Sequence, residues 1–307
     1  CLVGSEMCIR DRKLIMNNER MKAMPKEKQE ALSFLNSLIL SLICLLVPVQ
    51  MASQTWDDHD RSDRYMARDF GQNYLMSLQE SGNPIIYTNG DNDTFPLWYN
   101  QETEGFRTDA RTCNLSYLQT DWYIDQMKRP AYDSPSLPIT WDRMEYVEGT
   151  NEYIPIQPEY KKSIDQLYAE AEKQALGGNP EALVNVKKEF GDNPYELKNI
   201  LKHWIRAPKD NDLKVIPTDS IVIKVDKEAV RRSGMMIPGD SIPDYMHISL
   251  KGKRALYKSE LMMLEMLSEA NWERPIYIAV SVGRENQLNM ENHFVQEGLA
   301  YLSLIHI

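Results

Sequence analysis

The chain has 307 residues, with 45 acidic against 35 basic side chains, a net charge of −10 and a pI near 5.1. Nucleic-acid binding needs clustered Lys and Arg that displace counterions, so this balance excludes a typical nucleic-acid-binding protein. With 16 Tyr, 6 Trp and 6 Phe the chain can bury a core, which excludes collagen-like and wholly disordered proteins.

The two ends of the chain resemble translated sequencing adapters. Residues 1–12 read CLVGSEMCIRDR and begin with Cys, and residues 302–307 read LSLIHI. We expect both segments to be adapter-derived and the native protein to continue in both directions. Fold and function are therefore predicted from residues 13–301.

Residues 31–51 form a stretch of 21 residues without charge, close to the ~20 that cross a bilayer core. The preceding flank, residues 13–30, carries five basic and three acidic side chains, a net charge of +2, and an acidic run follows Trp56. The positive-inside rule then predicts a transmembrane helix with a cytoplasmic basic flank and everything after Trp56 outside the membrane. A cleaved signal peptide is the alternative, although Gln50 and Ala52 would make a poor cleavage site.

The predicted membrane helix carries a small polar stripe. Ser33, Ser37 and Ser41 recur every four residues, with Asn36 beside them. Small polar residues at this spacing are typical of packing between membrane helices. We therefore expect neighbouring transmembrane helices of the same protein that this chain lacks.

The outer part, residues 53–301, alternates predicted helices and strands. This order predicts an α/β domain with a mostly parallel sheet and crossover helices, and a helical and mixed insertion over residues 160–256. The predicted elements are helices over 61–78, 95–104, 120–128, 160–175, 180–189, 194–206, 258–270 and 290–299, a short helix capped by Asp226, and strands over 84–88, 110–118, 220–225, 245–250 and 275–282.

The richest candidate site follows the first predicted strand. Asn89, Asp91, Asn92 and Asp93 lie in a turn-forming segment, at the strand end where ligands collect in open α/β sheets. Two carboxylates at D-x-D spacing can hold a divalent cation through their oxygen atoms. Asp and Asn are also ordinary turn and capping residues, and this structural role is the favoured interpretation.

A second acidic cluster lies next to the membrane segment. Asp57, Asp58, His59 and Asp60 could together bind a metal ion. The same side chains would also stabilise the positive end of a helix that begins there, and this is the favoured interpretation.

Six aromatic residues cluster within 30 positions. Such rings can stack on sugars, but their helical spacing favours a place in the core. They are Trp98, Tyr99, Phe106, Tyr117, Trp122 and Tyr123.

Long collinear blocks of the chain resemble the C-terminal part of a bacterial multi-pass membrane family. The resemblance spans roughly residues 31–301 and is carried by SQTWDDHDRSDRYMARDFGQNYL, IIYTNGDNDTFPLWYNQETEGFRTDARTCNLSYLQTDWYIDQMKRPAY, VDKEAV, NWERPIYIAVSVG and FVQEGLAY. The family long bore a domain-of-unknown-function label and is grouped with protein O-mannosyltransferase-like transmembrane proteins.

The resemblance implies an integral-membrane glycosyltransferase of the GT-C type in the bacterial cytoplasmic membrane. It would take sugar from a lipid-linked donor, and its large outer domain would serve recognition of a protein or glycan acceptor. The family's catalytic acid belongs to an early outward loop that this chain lacks, so no catalytic residue is assigned and the fragment alone is expected to be inactive. The alternatives are a membrane-anchored module that binds a cation or carbohydrate without catalysis, and a transferase site at Asp91 and Asp93 themselves.

Overall fold

The computed structural model describes residues 23–206, 214–237 and 239–304. The predicted adapter residues 1–12 and residues 13–22 of the basic flank lie outside this description, as do residues 305–307. The chain divides into two compact units, Cys1–Arg64 and Tyr65–Ile307.

The described part of the first unit contains a long helix, α1 (Lys26–His59), which includes the predicted membrane segment 31–51. Within the described residues it is the one helix long and apolar enough to cross a membrane, with a mean hydropathy of 2.3 over 18 residues. Only 6% of that window is buried, whereas a helix in the core of a soluble protein is buried on its apolar face. Length and composition are those of a membrane anchor, and a signal peptide would share them.

The second unit alternates helices and strands. Its helices are α2 (Met66–Met76), α3 (Asp91–Glu102), α4 (Asp121–Met127), α5 (Arg143–Tyr146), α6 (Tyr160–Leu176), α7 (Pro180–Phe190), α8 (Leu197–Ile200), which continues as a π-helical turn over Leu201–Arg206, α9 (Lys227–Ser233) and α10 (Lys258–Glu269). Its strands are β1 (Ile85–Thr88), β2 (Arg111–Asn114), β3 (Tyr153–Pro155), β4 (Ser220–Lys224), β5 (Tyr245–Ser249), β6 (Ala255–Tyr257), β7 (Ile276–Ala279), β8 (Phe294–Glu297) and β9 (Ala300–Ser303).

A five-stranded sheet with the order β2-β1-β7-β9-β8 forms the centre of the second unit. β2, β1 and β7 run parallel, whereas β9 is antiparallel to both β7 and β8. Every residue of β1 and β7 is buried, as expected for parallel strands covered on both faces. The predicted α/β fold class is confirmed, and the sheet is mixed because its last two strands return as a hairpin.

That hairpin shows that the helix predicted over residues 290–299 is wrong. β8 pairs with β9, and Phe294 stacks on Tyr301 with ring centroids 5.9 Å apart. Gly298 turns the chain between them with φ +57°, a conformation that costs glycine little. In this hairpin, successive side chains alternate between the two faces of the sheet. The apparent helical spacing of residues 290–299 therefore does not correspond to a helix.

β9 includes Leu302 and Ser303, two residues of the segment predicted to derive from an adapter. Leu302 is buried and lies opposite Tyr277 of β7. The adapter origin of residues 302–307 stays a prediction.

Residues 160–256, the predicted insertion, contain α6 to α9 and the antiparallel pair β4-β5. The segment leaves after β3 and returns at β6, and these two strands pair with Tyr153 opposite Tyr257. Through α10 the chain then re-enters the central sheet as β7, beside β1. The insertion therefore begins and ends at the same pair of strands, which leaves β1 and β7 free to pair, with Ile85 opposite Ile276.

The predicted cap of α9 is confirmed. The Asp226 carboxylate accepts hydrogen bonds from the backbone N–H groups of Glu228 and Ala229, each at 3.0 Å. These bonds lower the pKa of the Asp226 carboxyl, with the bond from Ala229 as the largest cause. Gly234 ends the helix in the left-handed conformation, with φ +73°, as is common after a helix C-terminus.

Candidate functional site

The sequence-predicted site lies at the carboxyl end of β1, where α3 begins. The helix starts at Asp91, before the predicted start at residue 95, and Gly90 occupies the N-cap position in an extended conformation. Asp91 and Asn92 are exposed, whereas Asp93 is only 3% exposed. The two carboxylates of the D-x-D therefore have different surroundings.

The Asp93 carboxylate is occupied by hydrogen-bond donors of the protein. Oδ1 accepts the Gly90 N–H at 3.0 Å, and Oδ2 accepts the Asn89 N–H at 3.3 Å and the Ser281 hydroxyl at 2.6 Å. Asp93 thereby closes a capping box at the first turn of α3, satisfying N–H groups that a helix start leaves unpaired. Because Ser281 follows β7, the same carboxylate also links the carboxyl ends of β1 and β7.

The remaining residues of this segment have no comparable set of partners. Asn89 receives the Ser116 hydroxyl on its side-chain oxygen at 3.1 Å and on its backbone oxygen at 2.8 Å. Among the described residues, no group of three or more His, Cys, Asp and Glu side chains could hold a metal ion. Cation binding at Asn89, Asp91, Asn92 and Asp93 stays a prediction, and the geometry assigns Asp93 a structural role.

The second acidic cluster is placed differently from its predicted position. Asp57, Asp58 and His59 form the last turn of α1 and Asp60 is its C-cap, so the cluster does not begin a helix. Carboxylates at a helix C-terminus face the negative end of the dipole and do not stabilise it. Hydrogen bonds from the Ser62 hydroxyl and then its backbone N–H lower the pKa of the Asp60 carboxyl.

A cleft of about 570 Å³ lined by several aromatic residues lies beside β2, and its volume is within the range of small-molecule sites. We call it the aromatic cleft. Its lining includes the aromatic residues Trp98, Tyr117, Trp122 and Tyr132 and the charged residues Glu102 and Arg111.

The rings of the aromatic cleft form a connected stack. Trp98 lies nearly parallel to Tyr117, with centroids 6.1 Å apart and 16° between the planes, and Trp122 packs against Tyr117 at 6.0 Å. Trp122 is 54% exposed and Tyr132 is 63% exposed. The expectation that this aromatic cluster belongs to the core is therefore wrong for Trp122 and for Tyr99, which is 46% exposed, although it is correct for the buried Tyr123.

Arg111 brings a buried guanidinium group to the same cleft. It is 5% exposed, and its Nη2 donates to the backbone oxygens of Gln126 at 3.0 Å and Arg129 at 3.1 Å. Its Nη1 has no hydrogen-bond partner among the described residues, which is a costly state for a buried donor. Burial lowers the pKa of Arg111. Nearby, the Tyr132 hydroxyl donates to the Glu102 carboxylate.

The family model described as TMEM260-associated domain 2 matches residues 67–305. The chain belongs to this family. The match begins inside α2 and extends past β9, so TMEM260-associated domain 2 contains both the Asp93 cap and the aromatic cleft. The searches of curated proteins and of solved structures gave no match.

Within TMEM260-associated domain 2, the charged residues of the aromatic cleft that the sequence analysis did not single out are Arg111 and Glu102. Arg111 reads as an ordinary strand residue and Glu102 as the last residue of a helix. The signal that pointed toward them was the density of Trp and Tyr around them, which also fits a core. Only the fold shows that several of these rings face a cavity.

Proposed function

We propose that this chain comprises the last transmembrane helix and the extracytoplasmic accessory domain of an integral-membrane glycosyltransferase-like protein. The observation that carries the proposal is the match of the region after α1 to TMEM260-associated domain 2. TMEM260 is a protein O-mannosyltransferase-like membrane protein. The sugar would come from a lipid-linked donor, and the domain would recognise or position a protein or glycan acceptor.

The proposed location is the bacterial cytoplasmic membrane, with the basic flank inside and the residues after Trp56 outside. The flank 13–30 has a net charge of +2, and residues 31–301 carry the remaining excess of acidic side chains. Basic residues stay preferentially on the cytoplasmic side of a span. The charge distribution on the two sides of α1 supports this orientation.

In this proposal the catalytic acid lies outside this chain, in the membrane region that precedes α1 in the complete protein. The Ser33, Ser37 and Ser41 stripe supports neighbouring helices, because small polar residues permit close helix contact in a bilayer. Residues 1–307 alone would then bind an acceptor but transfer no sugar.

Sugar transfer by the complete protein tests this proposal. The complete protein is purified in detergent and supplied with a polyprenyl-phosphate hexose together with a protein or glycan acceptor. We expect transfer of the hexose to the acceptor, and no transfer by the chain of residues 1–307 under the same conditions. Absence of transfer by the complete protein from every polyprenyl-phosphate sugar tried would refute the proposal.

The alternative function is a membrane-anchored module that binds a cation or a carbohydrate without catalysis. Its cation form depends on Asp91 and Asp93, and the Asp93 oxygens already accept four protein donors within 3.3 Å. Calorimetric titration of the chain with Mg²⁺, Ca²⁺ or Mn²⁺ is therefore expected to give no saturable heat. Saturable heat that disappears in Asp91→Ala would instead establish a cation-binding module.

A further inference from the structure

The aromatic cleft combines exposed rings with a volume suited to a small ligand. A pyranose ring presents a face of C–H groups that can pack on an aromatic ring. Trp122 offers such a surface because it is 54% exposed while its position is held by Tyr117 and Tyr123, at centroid distances of 6.0 and 5.5 Å. Because such a ring is already held in place, it loses little conformational entropy when a ligand stacks on it.

Two side chains of opposite charge stand beside these rings. Arg111 can donate a hydrogen bond through Nη1, which has no partner among the residues that the structure describes, and the exposed Glu102 can accept through its carboxylate. Sugar hydroxyl groups both donate and accept, so a cationic donor and an anionic acceptor fit them together. Charged hydrogen-bond partners are also the stronger ones.

The floor of the cleft includes the free edge of β2. The backbone N–H groups of Arg111 and Leu115 donate to carbonyl oxygens of the β1 segment at 2.8 and 2.7 Å, and β2 ends the sheet. Backbone groups of alternate strand residues point to opposite sides, so Thr112 directs its N–H and C=O away from β1. Thr112 lines the aromatic cleft, which adds one polar donor and acceptor pair to the site.

This open edge is too short for an added peptide strand. On one side of Thr112, the Ala110 oxygen accepts from Gln101 Nε2 at 2.9 Å, and on the other side the Asn114 N–H donates to the Tyr123 hydroxyl at 2.9 Å. Strand addition depends on several successive backbone pairs. A compact ligand can use one such pair, whereas an extended peptide would need to displace Gln101 and Tyr123.

We infer that the aromatic cleft is a carbohydrate-binding site in which a pyranose ring stacks on Trp122 while Glu102 and Arg111 bind its hydroxyl groups. The inference deepens the proposed function, on which it rests for the presence of a glycan on the acceptor. It assigns the glycan to a site separate from the D-x-D and built by α3, β2 and α4.

Titration calorimetry with the full chain tests the inference. The 307-residue chain is held in a zwitterionic detergent without a sugar headgroup and titrated with neutral trisaccharides of mannose, glucose or N-acetylglucosamine. We expect saturable binding of at least one trisaccharide with a Kd of about 1 mM or below. No saturable heat with any of the three at concentrations up to about 10 mM would overturn the inference.

Variants at exposed positions separate stacking from folding. Trp122→Ala and Glu102→Gln are each expected to raise the Kd about tenfold or more, through loss of the stacking surface or of the charged acceptor. Tyr245→Ala is the matched control, because Tyr245 is a partly exposed aromatic residue of β5 that does not line the cleft. Arg111 is left unchanged because its Nη2 also holds two backbone carbonyls.

Further outcomes of these titrations are decisive. A Kd that is unchanged in Trp122→Ala, or raised equally in Tyr245→Ala, would overturn the assignment of the ligand to this cleft. Extended peptides that bind in a Trp122-dependent manner, while trisaccharides do not bind, would replace the glycan by a peptide. Trisaccharide binding by a complete protein that transfers no sugar would refute the proposed function alone, and transfer without such binding would refute this inference alone.

Discussion

Asp93→Ala is expected to lower the free energy of unfolding by about 3 kcal/mol, the effect of removing several hydrogen bonds to a buried charged group. The substitution leaves the N–H groups of Asn89 and Gly90 and the hydroxyl of Ser281 without their acceptor. It also opens the capping box at α3 and separates the ends of β1 and β7. Urea denaturation of the chain in detergent, followed by tryptophan fluorescence, measures the loss.

Asp91→Ala is the matched control, because Asp91 is exposed in the same helical turn. Its loss is expected to cost less than about 1 kcal/mol, the size of a charge interaction with the helix dipole. Asp93→Asn should fall between the two, because an amide keeps one acceptor oxygen but replaces the other with a donor. Equal losses for Asp91→Ala and Asp93→Ala would contradict the structural role of Asp93.

Gly71→Ala is the second substitution with a large expected effect. A Cβ at Gly71 would lie 2.3 Å from the backbone oxygen of Pro96 and 2.5 Å from Nδ2 of Asn100. Asn100 itself bridges the two helices, since its Nδ2 donates to the Arg68 oxygen at 2.9 Å and to the Pro96 oxygen at 2.8 Å. Forcing α2 away from α3 is expected to cost about 3 kcal/mol, at the upper end of overpacking effects.

The control for Gly71→Ala is the same change at Gly90. A Cβ at Gly90 would meet only the Asp93 carboxylate, at 3.8 Å, and the backbone there is extended. Gly90→Ala is therefore expected to change the free energy of unfolding by less than about 1 kcal/mol. If urea denaturation showed the same free energy of unfolding for Gly71→Ala and for the unchanged chain, the close approach of α2 and α3 would be wrong.

The strands β1 and β7 could be predicted because both are short, mainly apolar and flanked by turn residues. The strand predicted over 275–282 and the helix predicted over 258–270 correspond to β7 and α10. The sequence could not predict the β8-β9 hairpin, because residues 290–299 show a spacing that fits both a helix and a hairpin turning at Gly298. Pairing with β7, which is a tertiary contact, decides between them.

The start of α3 shows a second limit of prediction. Thr94 is a good capping residue, but the helix begins at Asp91 because Asp93 reaches back to the N–H groups of Asn89 and Gly90. The Asp93 carboxylate, predicted as a candidate cation ligand, thus has the capping role that the turn chemistry favoured. The bond from Ser281 could not be predicted, because it joins residues 188 positions apart.

The aromatic cleft could be predicted only in part from the sequence. The abundance of Trp and Tyr between Trp98 and Tyr123 was evident, but whether a ring faces the core or a cavity depends on packing. Glu102, Arg111 and Trp122 lie on three different elements, so their spacing carries no periodic signal. The topology of β2 at the sheet edge brings them to one cleft.

The most direct test of the accessory role compares the complete protein with the same protein lacking residues 65–304. Both are reconstituted in bilayers with a polyprenyl-phosphate hexose, and transfer to a glycan-bearing acceptor is measured alongside release of hexose to water. We predict that the deletion abolishes transfer to the acceptor while release of hexose persists, because the donor chemistry belongs to the membrane helices. Undiminished transfer after the deletion would contradict an acceptor-recognition role for this domain.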